Sequence, residues 1–162
     1  MPVDAPLPSL ILGARPTWQM PELPSLNKLS AHATFWPFPD PAQAVARYPE
    51  HSPLVRVLNG TWDFALFDSP YEVTAAAIAQ ATWRPLDVPG NWTMQLRNES
   101  WHGESFNKPH YTNIQMPFAE PFPHVPAAIA TGVYRTRIQV PTQWDGQRIV
   151  IHFSGCEGML AV

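Results

Sequence analysis

Apolar and polar residues first alternate clearly in LNGTWDFALF at 58–67, where Trp62, Phe64 and Leu66 fall on one face and Asp63 and Ala65 on the other. A period of two predicts a half-buried strand, and the Asn59-Gly60 pair ahead of it supplies a turn. A second alternation, VYRTRIQV at 133–140, sets Tyr134, Thr136, Ile138 and Val140 against Arg135, Arg137 and Gln139. It predicts a strand with one wet face. The Asp145-Gly146 turn then leads into RIVIHF at 148–153, a nearly continuous apolar run that predicts a strand covered on both sides. The turn between these two segments predicts that they lie close in space.

Helical signals are short. Asp40-Pro41 followed by AQAVAR offers an acidic N-cap, proline at the first helical position and good helix formers, which predicts one or two turns. YEVTAAAIAQA at 71–81 fits a short helix or a covering loop, and 82–88 reads as an irregular edge segment. Residues 1–24 hold six prolines and no periodic pattern, which predicts an arm running extended over another surface.

Composition narrows the fold class. The chain has 162 residues, enough for about one domain with a sizeable core, and 45% of them are hydrophobic. Its 20 prolines, more than twice the usual share of about 5%, break helices and punctuate short strands, so a β-rich sandwich is favoured. A net charge of −3 without a basic cluster disfavours nucleic-acid binding. No apolar run approaches the roughly 20 residues that cross a bilayer. The single Cys156 cannot form an internal disulfide, and the first residues lack the pattern of a secretory signal, so a soluble cytoplasmic chain is expected. Asn-x-Ser/Thr triplets at Asn59, Asn91 and Asn98 are glycan acceptors only in a secreted chain. The histidines show no metal-site spacing, so no structural zinc is expected.

The candidate chemistry lies in 88–118, which ends in HYTNIQMPF. Tyr111 offers a flat apolar face with one hydroxyl. Asn113 offers two donors and one acceptor on a short side chain, the complement of a sugar's vicinal hydroxyls. Each has a plainer role open to it, since Asn113 also suits an Asx-turn. Trp62, Trp83, Trp92 and Trp144 are possible stacking platforms, but a tryptophan within alternating β-sequence is more often core.

Several of these motifs occur together in a known order. SLNKLSAHATF at 25–35, LNGTWDF at 58–64, VPGNW at 88–92, YTN at 111–113, TGVYRTRIQVP at 131–141 and IVIHFSGCEGMLAV at 149–162 resemble the amino end of glycoside hydrolase family 2 β-galactosidases. The resemblance covers roughly 18–162. It implies an all-β, galactose-binding-like jelly-roll sandwich over 51–162, incomplete at its C-terminal end. Residues 1–50 then form an extended Pro-rich arm and lead-in with a short helix. The apolar MLAV at 159–162 looks like the start of a further strand, so a chain cut inside its domain is expected, with an unpaired sheet edge.

In that family the Asn of the YTN element projects from the jelly roll into the barrel domain and hydrogen-bonds galactose. The resemblance transfers that role to Asn113, with Tyr111 and Ile114 as its immediate supports. Asn107 stands ahead of Pro109 where the family often has Asp, and LRNESWHGE at 96–104 looks like an insertion, which bears on the pocket rim. A retaining glycosidase needs two carboxylates about 5 to 5.5 Å apart. None of the 13 acidic residues sits in a motif like the family's catalytic barrel strands. No catalytic residue and no metal site is therefore expected within this chain.

The resemblance implies a β-galactoside substrate, a β/α-barrel domain of the same polypeptide, Mg and Na ions held mostly by that remainder, and a homo-oligomeric parent. Nucleic-acid and membrane partners are not expected. Two other readings stay open: a stand-alone carbohydrate-binding module, and another family 2 glycosidase such as a β-glucuronidase or β-mannosidase. A third possibility gives the Pro-rich arm a role in subunit assembly.

Overall fold

The computed structural model describes residues 5–46, 48–96, 100–101, 104–105, 118–156 and 158–162. In chain order the strands are β1 (Ile11–Leu12), β2 (Arg15–Pro16), β3 (Gly60–Phe67), β4 (Arg84–Val88), β5 (Ser100–Trp101), β6 (Glu104–Ser105) and β7 (Thr131–Arg135). Three short α-helices accompany them: α1 (Pro41–Ala46), α2 (Ala75–Gln80) and α3 (Trp92–Gln95). The fold is β-dominated. All strand pairs are antiparallel, and the main sheet has the order β4-β3-β7.

Two compact units divide the chain, one formed by 1–24, 60–136 and 156–162, the other by 25–59 and 137–155. The first contains the main sheet. Its central strand follows the alternation: Phe64 is fully buried, and Leu86 and Leu96 pack with it, flanked by Leu66 and Trp92. Burying each of these large side chains stabilises the fold by about 1.5–3 kcal/mol. Phe64 also meets Tyr134 edge to face, ring centroids 4.9 Å apart, where the two are direct partners in the β3–β7 register. The opposite face differs from expectation. Asp63 is exposed, but Ala65 beside it is buried, so β3 is wet on that face at one end and covered on both faces further along.

Local rules account for the surrounding elements. Thr74 caps α2, its hydroxyl accepting from the Ala77 N–H at 3.1 Å, and Ser69 caps the turn Pro70–Glu72 through the Tyr71 N–H at 3.2 Å. The segment at 71–81 thus resolves as a helix. Arg84–Val88 is a regular edge strand rather than an irregular one, and it tolerates Pro85 because an edge position leaves a strand's outward N–H unneeded.

The arm runs over a surface of its own unit. Its β1–β2 hairpin turns through Gly13 at φ 63°, a conformation glycine adopts freely. The Leu7 N–H donates to the Val73 carbonyl at 3.0 Å, and Trp18 meets Tyr71 edge to face at 5.0 Å. Residues 5–24 therefore pack against the 70–74 segment of their own unit. Arg15 ties the arm internally, pairing with Glu22 and donating to the Gln19 carbonyl.

The second unit carries several defined polar contacts. Asp40 caps α1 as predicted, accepting from the Gln43 N–H at 2.9 Å, and the Gln43 carboxamide returns to the same carboxylate. The Ser52 hydroxyl, buried, donates to the Pro37 carbonyl at 2.5 Å and accepts from the Leu54 N–H at 3.1 Å. Trp144 Nε1 donates to the Pro53 carbonyl at 3.0 Å.

Here two strand expectations fail. The ladder of β7 ends at Arg135, so 136–140 are not part of it, and Ile138 and Val140 are exposed. Residues 148–153 form no strand, and Ile149, Val150 and Ile151 are 51%, 54% and 46% exposed rather than covered. The turn explains part of this. Asp145 lies at φ −58°, ψ 136° with Gly146 at φ 72° and the Gln147 N–H on the Trp144 carbonyl, a type II turn. A type II turn splays its flanking segments, whereas a tight hairpin needs a primed turn that matches strand twist. Among the described residues no strand pairs with 148–153, and an apolar run without a ladder partner does not become a strand.

Candidate functional site

The three residues singled out for ligand contact, Tyr111, Asn113 and Ile114, lie outside the described residues, as do Asn107 and Pro109. The structure does describe the segment that leads toward them. After β4 the chain turns at Gly90 and enters α3, which Asn91 caps: its Oδ1 accepts from the Thr93 N–H at 3.0 Å and from the Thr93 hydroxyl at 2.6 Å. The first turn of α3 then carries Trp92 onto the core, its ring centroid 5.3 Å from that of Phe64, and Leu96 at the helix end is buried beside them. Residues 92–96 are thereby fastened to the sheet by two apolar side chains.

Further along, β7 packs against Phe64 and Trp92. A Cβ at Gly132 would lie 2.8 Å from Phe64 Cε2 and 3.2 Å from the Trp92 ring, so only glycine lets β7 approach this closely. Sequence reasoning took Gly132 as part of a motif and missed this role. The conjunction of a glycine within a strand and two aromatics on its neighbours is the available signal.

The four tryptophans serve mainly as structure. Trp92 packs on Phe64, Trp62 is half-buried in β3, and the indole N–H of Trp144 is engaged. One face of Trp83 is covered by the Arg135 guanidinium, 3.9 Å from the ring centroid. Arg135 in turn holds Asp63 through Nε and an Nη at 3.2 and 3.0 Å.

Carboxylates with defined contacts are engaged locally. Asp63 pairs with Arg135, Asp87 accepts from the Thr61 hydroxyl at 2.9 Å, Asp40 caps α1 and Asp145 accepts from Gly146. Glu22 is held below its ordinary value by its own backbone N–H first and by Arg15 next. Burial, and then Cys156, raise the Tyr134 hydroxyl above its ordinary 10.0. Among the described residues no group of three or more His, Cys, Asp or Glu side chains could hold a metal ion. None of their helices is long and apolar enough to cross a membrane. The carboxylates named above make their contacts within the described scaffold itself.

Comparison with known proteins agrees with this architecture. Residues 55–162 match the family model described as "Glycosyl hydrolases family 2, sugar binding domain". The chain belongs to that family. It is 33% identical over 151 residues to a protein of Psychromonas ingrahamii named Beta-galactosidase, covering 91% of this chain and 13% of the relative. Proteins of the same name from Vibrio vulnificus and Vibrio cholerae are 35% and 42% identical over 142 and 102 residues. These matches cover 84% and 60% of this chain, and 13% and 9% of those relatives. The chain thus spans a small fraction of the length of the curated relatives it matches. No solved structure matches it significantly.

Proposed function

We propose that this chain is the amino-terminal jelly-roll domain of a β-galactosidase, which hydrolyses terminal non-reducing β-D-galactose residues such as that of lactose. The observation that carries the reading is the family 2 sugar-binding match over 55–162, joined to relatives named Beta-galactosidase over most of the chain. On this reading the domain contributes substrate-binding residues and another part of the enzyme contributes the two catalytic glutamates. Asn113 hydrogen-bonds the galactose hydroxyls, with Tyr111 and Ile114 supporting it. Magnesium and sodium belong to the enzyme outside the residues described here, and the working enzyme is a homo-oligomer.

The test is Asn113→Ala in a polypeptide carrying this domain together with its barrel. A lost buried hydrogen bond of about 1–3 kcal/mol lowers kcat/KM for a β-galactoside by roughly five- to 150-fold. Unchanged kinetics would remove Asn113 from the site. Titration calorimetry of the 162-residue chain with galactose and lactose separates this reading from a stand-alone sugar-binding module. A shared site gives no heat of binding, whereas an independent module binds unaided.

A further inference from the structure

An antiparallel sheet leaves a row of backbone donors and acceptors along each outer edge, and unprotected edges recruit other strands. Among the described residues, one outer edge of the β4-β3-β7 sheet belongs to β4. Its backbone at Asp87 faces away from β3, because both of its polar groups are taken by a side chain on that side. The Asp87 N–H donates to Gln95 Oε1 at 3.0 Å, and Gln95 Nε2 donates to the Asp87 carbonyl at 2.8 Å. A primary carboxamide has the same donor and acceptor pattern as a peptide group. Gln95, at the end of α3, therefore makes the pair of hydrogen bonds that a neighbouring strand would make.

Two further features complete the arrangement. Residues two apart in a strand share an edge, so Pro85 lies on the same outer edge as Asp87, and proline has no N–H to offer. Gly90 leaves room for the clamp: a Cβ there would sit 2.2 Å from Gln95 Nε2 and 2.8 Å from the Asp87 carbonyl oxygen. Of the two residues of β4 assigned to this edge, one lacks a donor and the other has its donor occupied.

We propose that Gln95 closes the β4 edge against strand addition by occupying, with its side chain, the backbone position an incoming strand would take. The sheet then accepts a further strand only beyond β7. Opening the β4 edge exposes a donor–acceptor pair whose nearest available occupant, in a purified sample, is a second copy of this chain.

Amide hydrogen exchange on the full 162-residue chain tests the clamp directly. The Asp87 amide is protected, and Gln95→Ala accelerates its exchange by about tenfold while the amides of β3 are unchanged. Sedimentation of the same variant shows a mass that grows with concentration, where the unaltered chain shows less growth. The double variant Gln95→Ala with Asp87→Pro removes the freed donor and reverses that growth. An Asp87 amide in the unaltered chain that exchanges as fast as in Gln95→Ala overturns the proposal, even if a variant folds poorly. Self-association of Gln95→Ala that Asp87→Pro leaves untouched overturns the edge mechanism.

Discussion

The two compact units use similar apolar material to opposite effect. GTWDFALF in β3 and RIVIHF at 148–153 are both rich in large apolar residues, yet the first supplies the fully buried Phe64 and the second is about half exposed along its length. Every buried hydrophobic residue described lies in the unit that contains the main sheet. In the other unit the buried residue is Ser52, and its fixed points are hydrogen bonds: the Asp40 cap, Ser52 to Pro37 and Trp144 to Pro53. Strand pairing makes the difference. β3 has a neighbour on each side, so its side chains are gathered into one layer with those of β4 and β7, whereas 148–153 has no ladder partner among the described residues.

The sharpest way to break this comparison is to remove matched apolar groups from both units. Phe64→Ala costs about 3–5 kcal/mol, the range for an aromatic deleted from a packed core. Ile151→Ala, at a half-exposed position, costs about 0.5 kcal/mol or less. Urea denaturation of each variant measures both, and equal losses would show that the second unit has a core of its own. Overpacking gives the next effect: Gly132→Ala drives a methyl into Phe64 and Trp92 and costs about 1–3 kcal/mol, readable as a lower thermal midpoint. A smaller effect sharpens the role of local rules. Thr74→Ala and Asp40→Ala each remove a cap and each cost about 1 kcal/mol in the unit they belong to, because capping depends on helix ends and not on core.

The smallest effect is a pH dependence. The raised value of Tyr134 means that the folded chain keeps a proton which the unfolded chain loses near its ordinary 10.0. Stabilisation from the neutral hydroxyl is complete below that pH and is lost as pH rises through the folded value. The denaturation midpoint of the unaltered chain therefore falls above about pH 10. Tyr134→Phe, which cannot ionise, flattens that fall.

Much of the local structure was legible in the residues. Asp40-Pro41 marked α1, the alternation of Trp62, Phe64 and Leu66 marked the buried face of β3, and Asp145-Gly146 marked a turn. Residues 148–153 were misread because a continuous apolar run reports only that cover is wanted. The turn type that decides its direction depends on φ at Asp145, which Asp-Gly leaves free. The surface that the arm lies on was not legible, for a related reason. The arm's residues carry no periodic pattern, and the Leu7–Val73 hydrogen bond and the Trp18–Tyr71 contact join residues more than fifty apart. In the candidate site, the motif containing Asn113 was legible as sequence, while the packing of Trp92 and Gly132 on Phe64 was not.

The sequence by itself determined the family, the β-dominated class, the helix caps and the turn positions, because each follows from short-range stereochemistry or from an ordered set of motifs. Only the tertiary structure decided which apolar segment has a partner, which glycine must stay bare, and that a glutamine side chain stands in for a strand at the β4 edge. Those outcomes depend on groups distant in sequence meeting at hydrogen-bond or van der Waals distance, and no local pattern of residue types encodes such a meeting.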